Sequence, residues 1–368
     1  MKVRILSKLK SLFSPLFIAS AITLVFGFAV KFTAANSASF ADFWQSKIAV
    51  YPRAALAYIT NIFPFSIAES IILCMPLIIA VLIRVASKGK TETWLSSFRF
   101  TFDILAVSML IYSMFLINFS AGYYTTSLDK RLDIQREKVS AEELYGTAEA
   151  LMDGIDGCIN NVDFTYGKGS VMPYDLSEMN KKLNEAYEKA CEKYPFISRF
   201  YSSPKPVALS EPWTYTHIAG VYSFFTGEAN ININFPDYTL PYTAAHEMAH
   251  QRGISREEEA NFVAFLVCME SDDDYIKYSA YANAFEYVAS SLNGADKDMY
   301  RQLYSTKVPQ MLKNEMIAYN AFFEKYRENT AATVAGKVND TFLKSNDQKE
   351  GERSYGLVVD LLVAYYKK

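Results

Sequence analysis

The hydrophobic positions form three long, nearly uncharged runs in the first third of the chain and shorter amphipathic repeats after them. Two of these runs contain twenty and twenty-five residues without a charge, and the run between them contains only Glu69. A membrane-spanning helix needs about 20 mostly apolar residues. The pattern therefore predicts three transmembrane helices, near residues 12–31, 65–85 and 102–122.

The remaining residues follow helical and strand-like patterns in turn. Apolar residues recur at three- and four-residue intervals over 129–200 and again after residue 238, as they do in amphipathic helices. The segment 206–236 instead contains stretches that favour strands, separated by Gly and Pro. The sequence thus predicts a mainly α membrane protein, with a transmembrane region over 1–122 and a helix-rich α+β domain with a small sheet over 123–368.

Basic residues are placed so that they orient the predicted spans. They precede the first span and fill the loop between the second and third: Lys2, Arg4, Lys8, Lys10, Arg84, Lys88, Lys90 and Arg99. Because cytoplasmic loops are enriched in Lys and Arg, we expect the N-terminus inside and residues from about 123 onward outside the cytoplasmic membrane. The first run also fits a cleavable signal peptide, which leaves the same topology for the remainder.

Composition narrows the class of protein. Hydrophobic residues make up 51% of the 368 and charged residues 21%, which excludes a disordered polyelectrolyte. The 26 Tyr and 26 Phe fit contact with a lipid bilayer, whereas a net charge of −3 without a basic stripe argues against a nucleic-acid partner. No C-x-x-C pair is present, so a zinc–cysteine module is not expected. A disulfide between Cys158 and Cys191 stays an open question.

The stretch His246-Glu247-Met248-Ala249-His250 has the H-E-x-x-H pattern of zinc-dependent hydrolases. Residues i and i+4 share one helix face, so both imidazoles can bind one Zn²⁺ and leave a position for water. Glu247 is turned by about 100° from His246 and can take a proton from that water as general base. The alternative is a surface helix with two structural histidines, and a third ligand would decide between the two.

Three consecutive glutamates after a turn offer that third ligand. Gly253 can end the histidine helix in the left-handed conformation, and Ser255 with Glu258 matches a capping box that starts a second helix. On the second helix Glu257 shares a face with small residues that can pack against the first helix, so we expect Glu257 to be the ligand. Glu258 and Glu259 would point to solvent or lie outside the ligand shell. The alternative for all three is a favourable charge in the first helical turn.

Two further features concern the substrate. In "ANININF" the side chains of Asn230 and Asn232 alternate with apolar ones. The strand is therefore either half-exposed structure or an edge strand that binds a peptide, with these two amides as substrate-binding residues. A hydrolase also needs a donor that stabilises the oxyanion. His217, Tyr222 and Tyr242 are the candidates, and the sequence does not decide between them.

The stretch "HEMAHQRGISREEEANFVAF", with "GEAN" upstream, resembles the signature of an uncharacterised bacterial membrane family, domain of unknown function 3810. The resemblance covers most of the chain and implies N-terminal spans followed by this motif, without an activity to carry over. More distantly, "EEEANFVA" is similar to the E-x-x-A-[DN] element of gluzincin-like peptidases, which implies Glu257 as the third zinc ligand. The third histidine of metzincins is replaced by Arg256, which excludes that class.

These features predict a membrane-anchored zinc metallopeptidase with a zincin-like domain outside the membrane. His246, His250 and Glu257 would bind Zn²⁺, Glu247 would be the general base, and a peptide or protein would be the substrate. The alternative is a non-catalytic zinc-binding module, such as an envelope sensor or an assembly partner. A transport component is disfavoured, because three spans with one peripheral carboxylate form no polar pathway. The sequence does not address the oligomeric state.

Overall fold

A computed structural model of the chain describes residues 13–88, 94–165 and 169–367. The first part of the chain forms three long helices and a helical connection between the first two. The long helices are α1 (Pro15–Asn36), α4 (Ile67–Lys88) and α5 (Trp94–Asn118), and the connection contains α2 (Ala38–Phe43), a π-helix (Trp44–Ile48) and α3 (Val50–Thr60). The sequence pattern did not predict the helices of this connection.

Two helices in the described parts of the chain are long and apolar enough to cross a membrane, Pro15–Asn36 and Phe98–Tyr124. They match the first and third predicted spans. The second predicted span falls on α4, whose described apolar stretch, Ile67–Leu82, is shorter. The chain thus has the character of a membrane protein with two candidate spans. Some of the basic residues used to predict its orientation lie outside the described residues: Lys2, Arg4, Lys8, Lys10 and Lys90.

Helices α1 and α5 pack side by side and run in the same direction. Near the start of both, the Ser14 hydroxyl donates a hydrogen bond to the Asp103 carboxylate at 2.5 Å. Further along both helices, the rings of Phe28 and Tyr112 lie 6.0 Å apart. Because α1 and α5 run parallel, the chain between them must return to the side on which α1 starts.

The rest of the chain forms a helix-rich body around two central helices. Its helices are α6 (Leu128–Leu132), α7 (Ala141–Cys158), α8 (Leu176–Lys193), α9 (Ser210–Thr214), α10 (Thr239–Gln251), α11 (Glu257–Met269), α12 (Asp274–Ala295), α13 (Lys297–Thr306), α14 (Gln310–Phe323), α15 (Thr330–Ser345) and α16 (Val358–Tyr366). Helix α11 is almost entirely buried, because α8, α10, α12 and α16 surround it. This explains why its sequence is apolar on every side after the first turn. All four cysteines are free, and Cys158 and Cys191 form no disulfide.

A small sheet lies beside α10. Strands β3 (Lys205–Pro206), β4 (Gly220–Ser223) and β5 (Glu228–Ile231) have the spatial order β3-β5-β4, in which β3 is parallel and β4 antiparallel to β5. A separate two-stranded hairpin joins β1 (Phe164–Thr165) to β2 (Gly169–Ser170). The predicted small sheet is therefore present, although its strands are shorter than the strand-like sequence.

The position of β5 corrects the interpretation of "ANININF". This stretch supplies the middle strand of the sheet, and both edges of β5 are paired, so β5 cannot add a peptide strand. The alternating pattern predicted one exposed face, but all four residues of β5 are buried. Helix α10 and helix α3 both contact this strand. The second of these contacts comes from the helical connection that the sequence pattern did not predict.

The "GEAN" motif joins this sheet to the start of α4. Glu228 accepts hydrogen bonds from the backbone N–H groups of Ile67 at 2.9 Å and Ala68 at 2.8 Å. Glu69, in the first turn of α4, likewise accepts hydrogen bonds from the backbone N–H groups of Ala208, at 2.8 Å, and Leu209. A carboxylate at a helix N-terminus satisfies otherwise unpaired N–H groups. Helix α4 is thus fixed to the body at its first turn.

Candidate metal centre

Two histidine side chains of α10 meet on one face of the helix. The ring centroids of His246 and His250 lie 4.6 Å apart with the ring planes at 89°, and both side chains are buried. The spacing of four residues places them one turn apart. Alanines 244, 245 and 249 fill the neighbouring positions of this helix and are fully buried, so the helix packs closely against its surroundings.

Glu257 completes a three-residue group with these histidines. Gly253 adopts φ +95° directly after α10, as predicted, and the chain turns so that α11 begins at Glu257. The Glu257 Oε2 atom lies 3.3 Å from Nε2 of His246 and 3.2 Å from Nε2 of His250. One ligand atom from each residue lies within 4.8 Å of the others. The group is buried and can hold a metal ion.

The start of α11 differs from the predicted capping box. Ser255 does not cap the helix, because its hydroxyl donates a hydrogen bond to the backbone oxygen of Phe119 at 2.9 Å. The N-cap residue is Arg256, which provides no side-chain cap. The turn between the two helices is therefore hydrogen-bonded to the end of α5 and does not form a capping box of its own.

Glu258 and Glu259 are buried, so the predicted alternative in which they face solvent is wrong. Glu259 accepts a hydrogen bond from the N–H of Leu128 at 3.0 Å and forms an ion pair with Arg256. Glu258 accepts a hydrogen bond from the side-chain amide of Gln348 at 3.3 Å. These partners keep both carboxylates away from the metal group, so Glu257 alone of the three joins the histidines.

Further hydrogen bonds orient the two imidazoles. The Nδ1–H of His250 donates to the backbone oxygen of Ile254 at 2.7 Å, since a carbonyl can only accept, and this leaves Nε2 as the ligand atom. His246 interacts with the side chain of Asn261, one turn after Glu257 on α11. Asn261 in turn is fixed by the Tyr242 hydroxyl, which donates to its backbone oxygen at 2.9 Å.

Strong electrostatic coupling links these three side chains. Burial raises the pKa of Glu257, but the two histidines outweigh this effect and lower the pKa to about 2. Burial lowers the pKa of His250, but the Glu257 carboxylate outweighs it, so that the pKa rises to about 9. The pKa of His246 falls because of burial and the charge of His250. An ionised carboxylate between two imidazoles is a donor set that a divalent cation can bind.

Glu247 lies on the adjacent face of α10 with one free carboxylate oxygen. Its Oε2 is buried and has no hydrogen-bond partner among the described residues, while the backbone N–H of Tyr222 donates to the carboxylate. Burial raises the pKa of Glu247 to about 8. A Cβ atom on Gly220 would lie 2.6 Å from Glu247 Oε1, so glycine at this position of β4 leaves room for the carboxylate.

The three-residue group and Glu247 line a cavity of about 870 Å³. Its walls come from the end of α5, from β4, and from helices α10, α11, α12, α14 and α15. Aromatic side chains line one part, including Phe119, Phe224 and Phe342, and polar side chains of α12 line another. Ligand pockets commonly measure about 300–1,000 Å³, so this cavity can accept several residues of a peptide.

The three predicted oxyanion donors have different surroundings. The Tyr242 hydroxyl is occupied by its bond to Asn261. His217 lines the cavity, and its Nε2–H donates to a backbone oxygen at 2.6 Å. Tyr222 also lines the cavity, and its buried hydroxyl has no partner among the described residues, although it interacts electrostatically with Arg53. All three residues line the cavity, and among their polar groups only the Tyr222 hydroxyl has no hydrogen-bond partner in the described part of the chain.

Tyr123, which the sequence analysis did not single out, also lines this cavity. Its hydroxyl is buried without a hydrogen-bond partner in the described part of the chain. The carboxylates of Glu257 and Glu258 are close enough to interact with it electrostatically. Tyr123 follows α5 and precedes the histidines by more than a hundred residues, so no local sequence pattern relates them.

The structure does not bring Asn230 and Asn232 to the metal group. Both side chains are buried within the sheet region. The amide of Asn230 donates to the backbone oxygen of Val221 at 3.2 Å, and that of Asn232 donates to the Thr214 hydroxyl at 3.1 Å. Neither residue lines the cavity. The amides hold neighbouring segments together, with no access to a bound peptide.

Gly253→Ala is expected to lower the free energy of unfolding by about 2–4 kcal/mol. Alanine disfavours φ +95°, and its Cβ would lie 2.6 Å from Nη2 of the fully buried Arg53. Thermal unfolding of the detergent-solubilised chain measures the effect. Gly146→Ala is the matched control, since nothing lies within 4 Å of that exposed helical position and alanine favours helix there. Equal melting temperatures for the two variants would contradict the geometry of the turn.

Comparison with known protein families identifies one match. The family described as "Protein of unknown function (DUF3810)" matches residues 46–363, so the chain belongs to this family. No curated protein and no solved structure matches the chain. The family match includes α3, α4, α5, the sheet and the metal group.

Proposed function

We propose that this member of the family is a membrane-anchored zinc-dependent metallopeptidase that hydrolyses peptide bonds. The observation that carries the proposal is the convergence of His246, His250 and Glu257 in one cavity, beside the unpaired carboxylate oxygen of Glu247. A metal-binding group, a base and space for a substrate are the parts that metal-assisted hydrolysis needs. The domain would then be zincin-like, with the histidine helix and α11 as its central pair.

The distances fit a tetrahedral zinc ion. Zinc lies about 2.0–2.1 Å from nitrogen and oxygen ligands, so two ligands of a tetrahedral ion lie about 3.3–3.4 Å apart. The two distances between Glu257 Oε2 and the histidine Nε2 atoms are 3.3 and 3.2 Å. Two imidazoles and one carboxylate favour zinc over magnesium or calcium, which prefer oxygen ligands. Three protein ligands leave a fourth position for the reaction, as in catalytic zinc sites.

Glu247 has the position that a general base requires. A zinc ion held by the neighbouring side chains supplies Lewis-acid chemistry toward water and the peptide carbonyl. Glu247 takes the proton of the attacking water at Oε2 and delivers it to the nitrogen of the leaving amine as the C–N bond breaks. Once ionised, Glu247 is a stronger base than an exposed carboxylate, because burial raises its pKa. The Tyr222 N–H and Gly220 keep the carboxylate in place.

Tyr123 is the oxyanion donor that the surroundings favour. Its free, buried hydroxyl lies near the Glu257 carboxylate, in the cavity that the substrate would occupy. Tyr242 and His217 each donate to a backbone oxygen. Among the described residues the Tyr222 hydroxyl has no hydrogen-bond partner, and it interacts electrostatically with Arg53 rather than with the Glu257 carboxylate. A preorganised hydroxyl donor stabilises the negative charge that develops on the carbonyl oxygen.

The direction of the long helices supports a third span. Helices α1 and α5 run parallel, so one further crossing must lie between them, and α4 is the long apolar helix in that interval. Helix α4 is fixed to the body at Ile67 and Ala68, and its large apolar side chains are exposed along the described stretch: Ile71, Ile72, Leu73, Met75, Leu77, Ile78, Ile79, Val81 and Leu82. Lipid would cover such side chains. We therefore place three spans in the membrane.

Charge at the ends of these helices supports the predicted orientation. Arg84 lies near the end of α4 that points away from the body, and Arg99 lies near the start of α5 on the same side. Basic residues favour the cytoplasmic side. The body with its cavity would then lie outside the cytoplasmic membrane.

A non-catalytic zinc module is the alternative from a different class of function. A structural zinc site is usually closed by four protein ligands. In the described part of the chain the group offers three ligands and opens into the 870 Å³ cavity. This geometry favours the hydrolase over the sensor or assembly module.

We expect the purified full-length chain in detergent to bind one zinc ion and to cleave peptides. Elemental analysis measures the metal content, and mass spectrometry of a mixed peptide library detects the cleavage. A chelator should abolish cleavage, zinc should restore it, and magnesium or calcium should not, because those ions prefer oxygen ligands. If the zinc-loaded chain leaves every library peptide intact, the peptidase proposal fails and the non-catalytic module is favoured.

A further inference from the structure

The cavity contains a second carboxylate, Glu286, which belongs to a different helix from the metal group. Helix α12 presents Asn283, Glu286, Tyr287 and Ser290 to the cavity at helical spacing. This polar face differs from the other sides of α12, which are largely buried in the hydrophobic core. A helix that packs in a core and still presents polar side chains to a cavity is suited to binding a polar part of a ligand.

Glu286 has a hydrogen-bond donor but no cationic partner. The Tyr238 hydroxyl donates to Glu286 Oε1 at 2.6 Å. Among the described residues, Glu286 forms no ion pair, and no Lys or Arg side chain lines the cavity. Burial, opposed by the Tyr238 hydrogen bond and assisted by the charge of Glu315, raises the pKa of Glu286 to about 7. A half-buried carboxylate without a cationic partner is costly, and a cationic ligand would reduce that cost.

Glu286 and the metal group line the same cavity, and the helix that carries Glu286 contacts the surroundings of the metal group. The hydroxyl of Tyr287, the next residue, is 3.5 Å from the side-chain amide of Asn261. Asn261 interacts with the metal-binding His246 and lies one turn after Glu257. A substrate bound in this cavity with its scissile bond at the metal group can therefore place another residue, or its own end, at Glu286.

We propose that Glu286 binds a cationic group of the substrate, either the side chain of a Lys or Arg residue or a free N-terminal ammonium. This inference rests on the proposed peptidase function and specifies its substrate class. The carboxylate supplies the charge, and the Tyr238 hydroxyl keeps it oriented toward the cavity. Asn283, one turn before Glu286 on the same face of the helix, can accept a hydrogen bond from the same cation through its side-chain oxygen. Glu286 thus determines specificity without touching the reacting atoms.

Binding to an inactive chain tests the inference without turnover. The zinc-loaded full-length chain carrying Glu247→Gln is titrated calorimetrically with acetylated, amidated hexapeptides that contain one Lys or one norleucine at each position in turn. A second series has uncharged side chains and a free N-terminus. We expect one position of Lys, or the free N-terminus, to improve the Kd by about 30-fold or more over its neutral counterpart. The two series distinguish a side chain from an N-terminus as the source of the cation.

Replacing the carboxylate should remove this preference. Glu286→Gln in the same background keeps an acceptor for Tyr238 and should bring the charged and neutral peptides to within about threefold of each other. Glu328→Gln, which removes an exposed carboxylate outside the cavity, is the matched control and should keep the preference. If Glu286→Gln also keeps the preference for the cationic peptide, or if the Glu247→Gln chain without this substitution shows no such preference, Glu286 is not the subsite.

Cleavage by the unmodified chain separates this inference from the proposed function. A parent chain that cleaves charged and neutral peptides with equal kcat/KM would sustain the peptidase proposal and overturn the Glu286 subsite. A parent chain that binds and cleaves none of them would overturn both. A preference for the cationic peptides that disappears in Glu286→Gln supports both.

Discussion

Glu247→Gln is expected to lower kcat by about 100- to 10,000-fold, the range that general-base catalysis usually contributes. The amide has nearly the same shape as the carboxylate, and its oxygen can still accept the hydrogen bond from the Tyr222 N–H. It cannot take a proton from water, so the step that needs Oε2 fails. Zinc content and melting temperature should not change, because Glu247 is not one of the three converging ligands. Steady-state kinetics and elemental analysis measure the two effects on one preparation.

Glu257→Gln provides the contrast for this experiment. The same chemical change, ten residues away, removes the charged ligand atom 3.2–3.3 Å from both histidines, so activity and zinc should be lost together. Loss of activity with zinc retained in one variant, and loss of both in the other, would separate the base from the ligand. A Glu247→Gln chain that cleaves as fast as the parent would mean that another group accepts the proton.

Local geometry explains which parts of this site could be predicted from the sequence. The spacing of His246 and His250 places both on one face of any helix, and Gly253 ends that helix because it adopts a positive φ. Glu257 follows from the helix face that packs against the first helix. Each of these predictions depends on contacts within about a dozen residues along the chain.

Contacts between distant segments explain what the sequence did not show. The sequence left open whether Glu258 and Glu259 face solvent or lie beside the ligands; both are buried and accept hydrogen bonds from Gln348 and Leu128, each about a hundred residues away in the sequence. Tyr123 reaches the cavity from the end of a membrane helix. The alternation in "ANININF" indicated a strand but not its place in the sheet, because strand order depends on which segments pair.

The attachment of the N-terminal helices to the metal group is the largest structural feature that the sequence pattern did not predict. Arg53, in the helical connection, is fully buried and donates hydrogen bonds to the backbone oxygens of Asn118 at 2.7 Å and Arg252 at 3.3 Å. It therefore links the end of α5 to the end of the histidine helix. Burial lowers the pKa of Arg53 to about 10, which leaves the guanidinium charged at neutral pH. The body is thus built onto its membrane helices and not tethered by a flexible linker.

His250→Ala is expected to lower zinc affinity by roughly three orders of magnitude or more, because one of only three protein ligands is lost. Zinc bound to the native chain also stabilises it against unfolding. The rise in melting temperature on adding zinc should therefore disappear in the variant. Without metal, the melting temperatures of the parent chain and the variant should differ less, because the substitution then removes only the hydrogen bonds of His250 to Glu257 and to Ile254.

The third histidine of the chain provides the matched control. His217→Asn removes an imidazole that lines the same cavity, and asparagine tolerates the positive φ of 61° at this position. This variant should keep both its zinc and its zinc-dependent rise in melting temperature, because His217 is not part of the converging group. If His250→Ala keeps both as well, the ion binds elsewhere. The converging group of His246, His250 and Glu257 would then be only a buried ion pair, and the hydrolase would lose its catalytic centre.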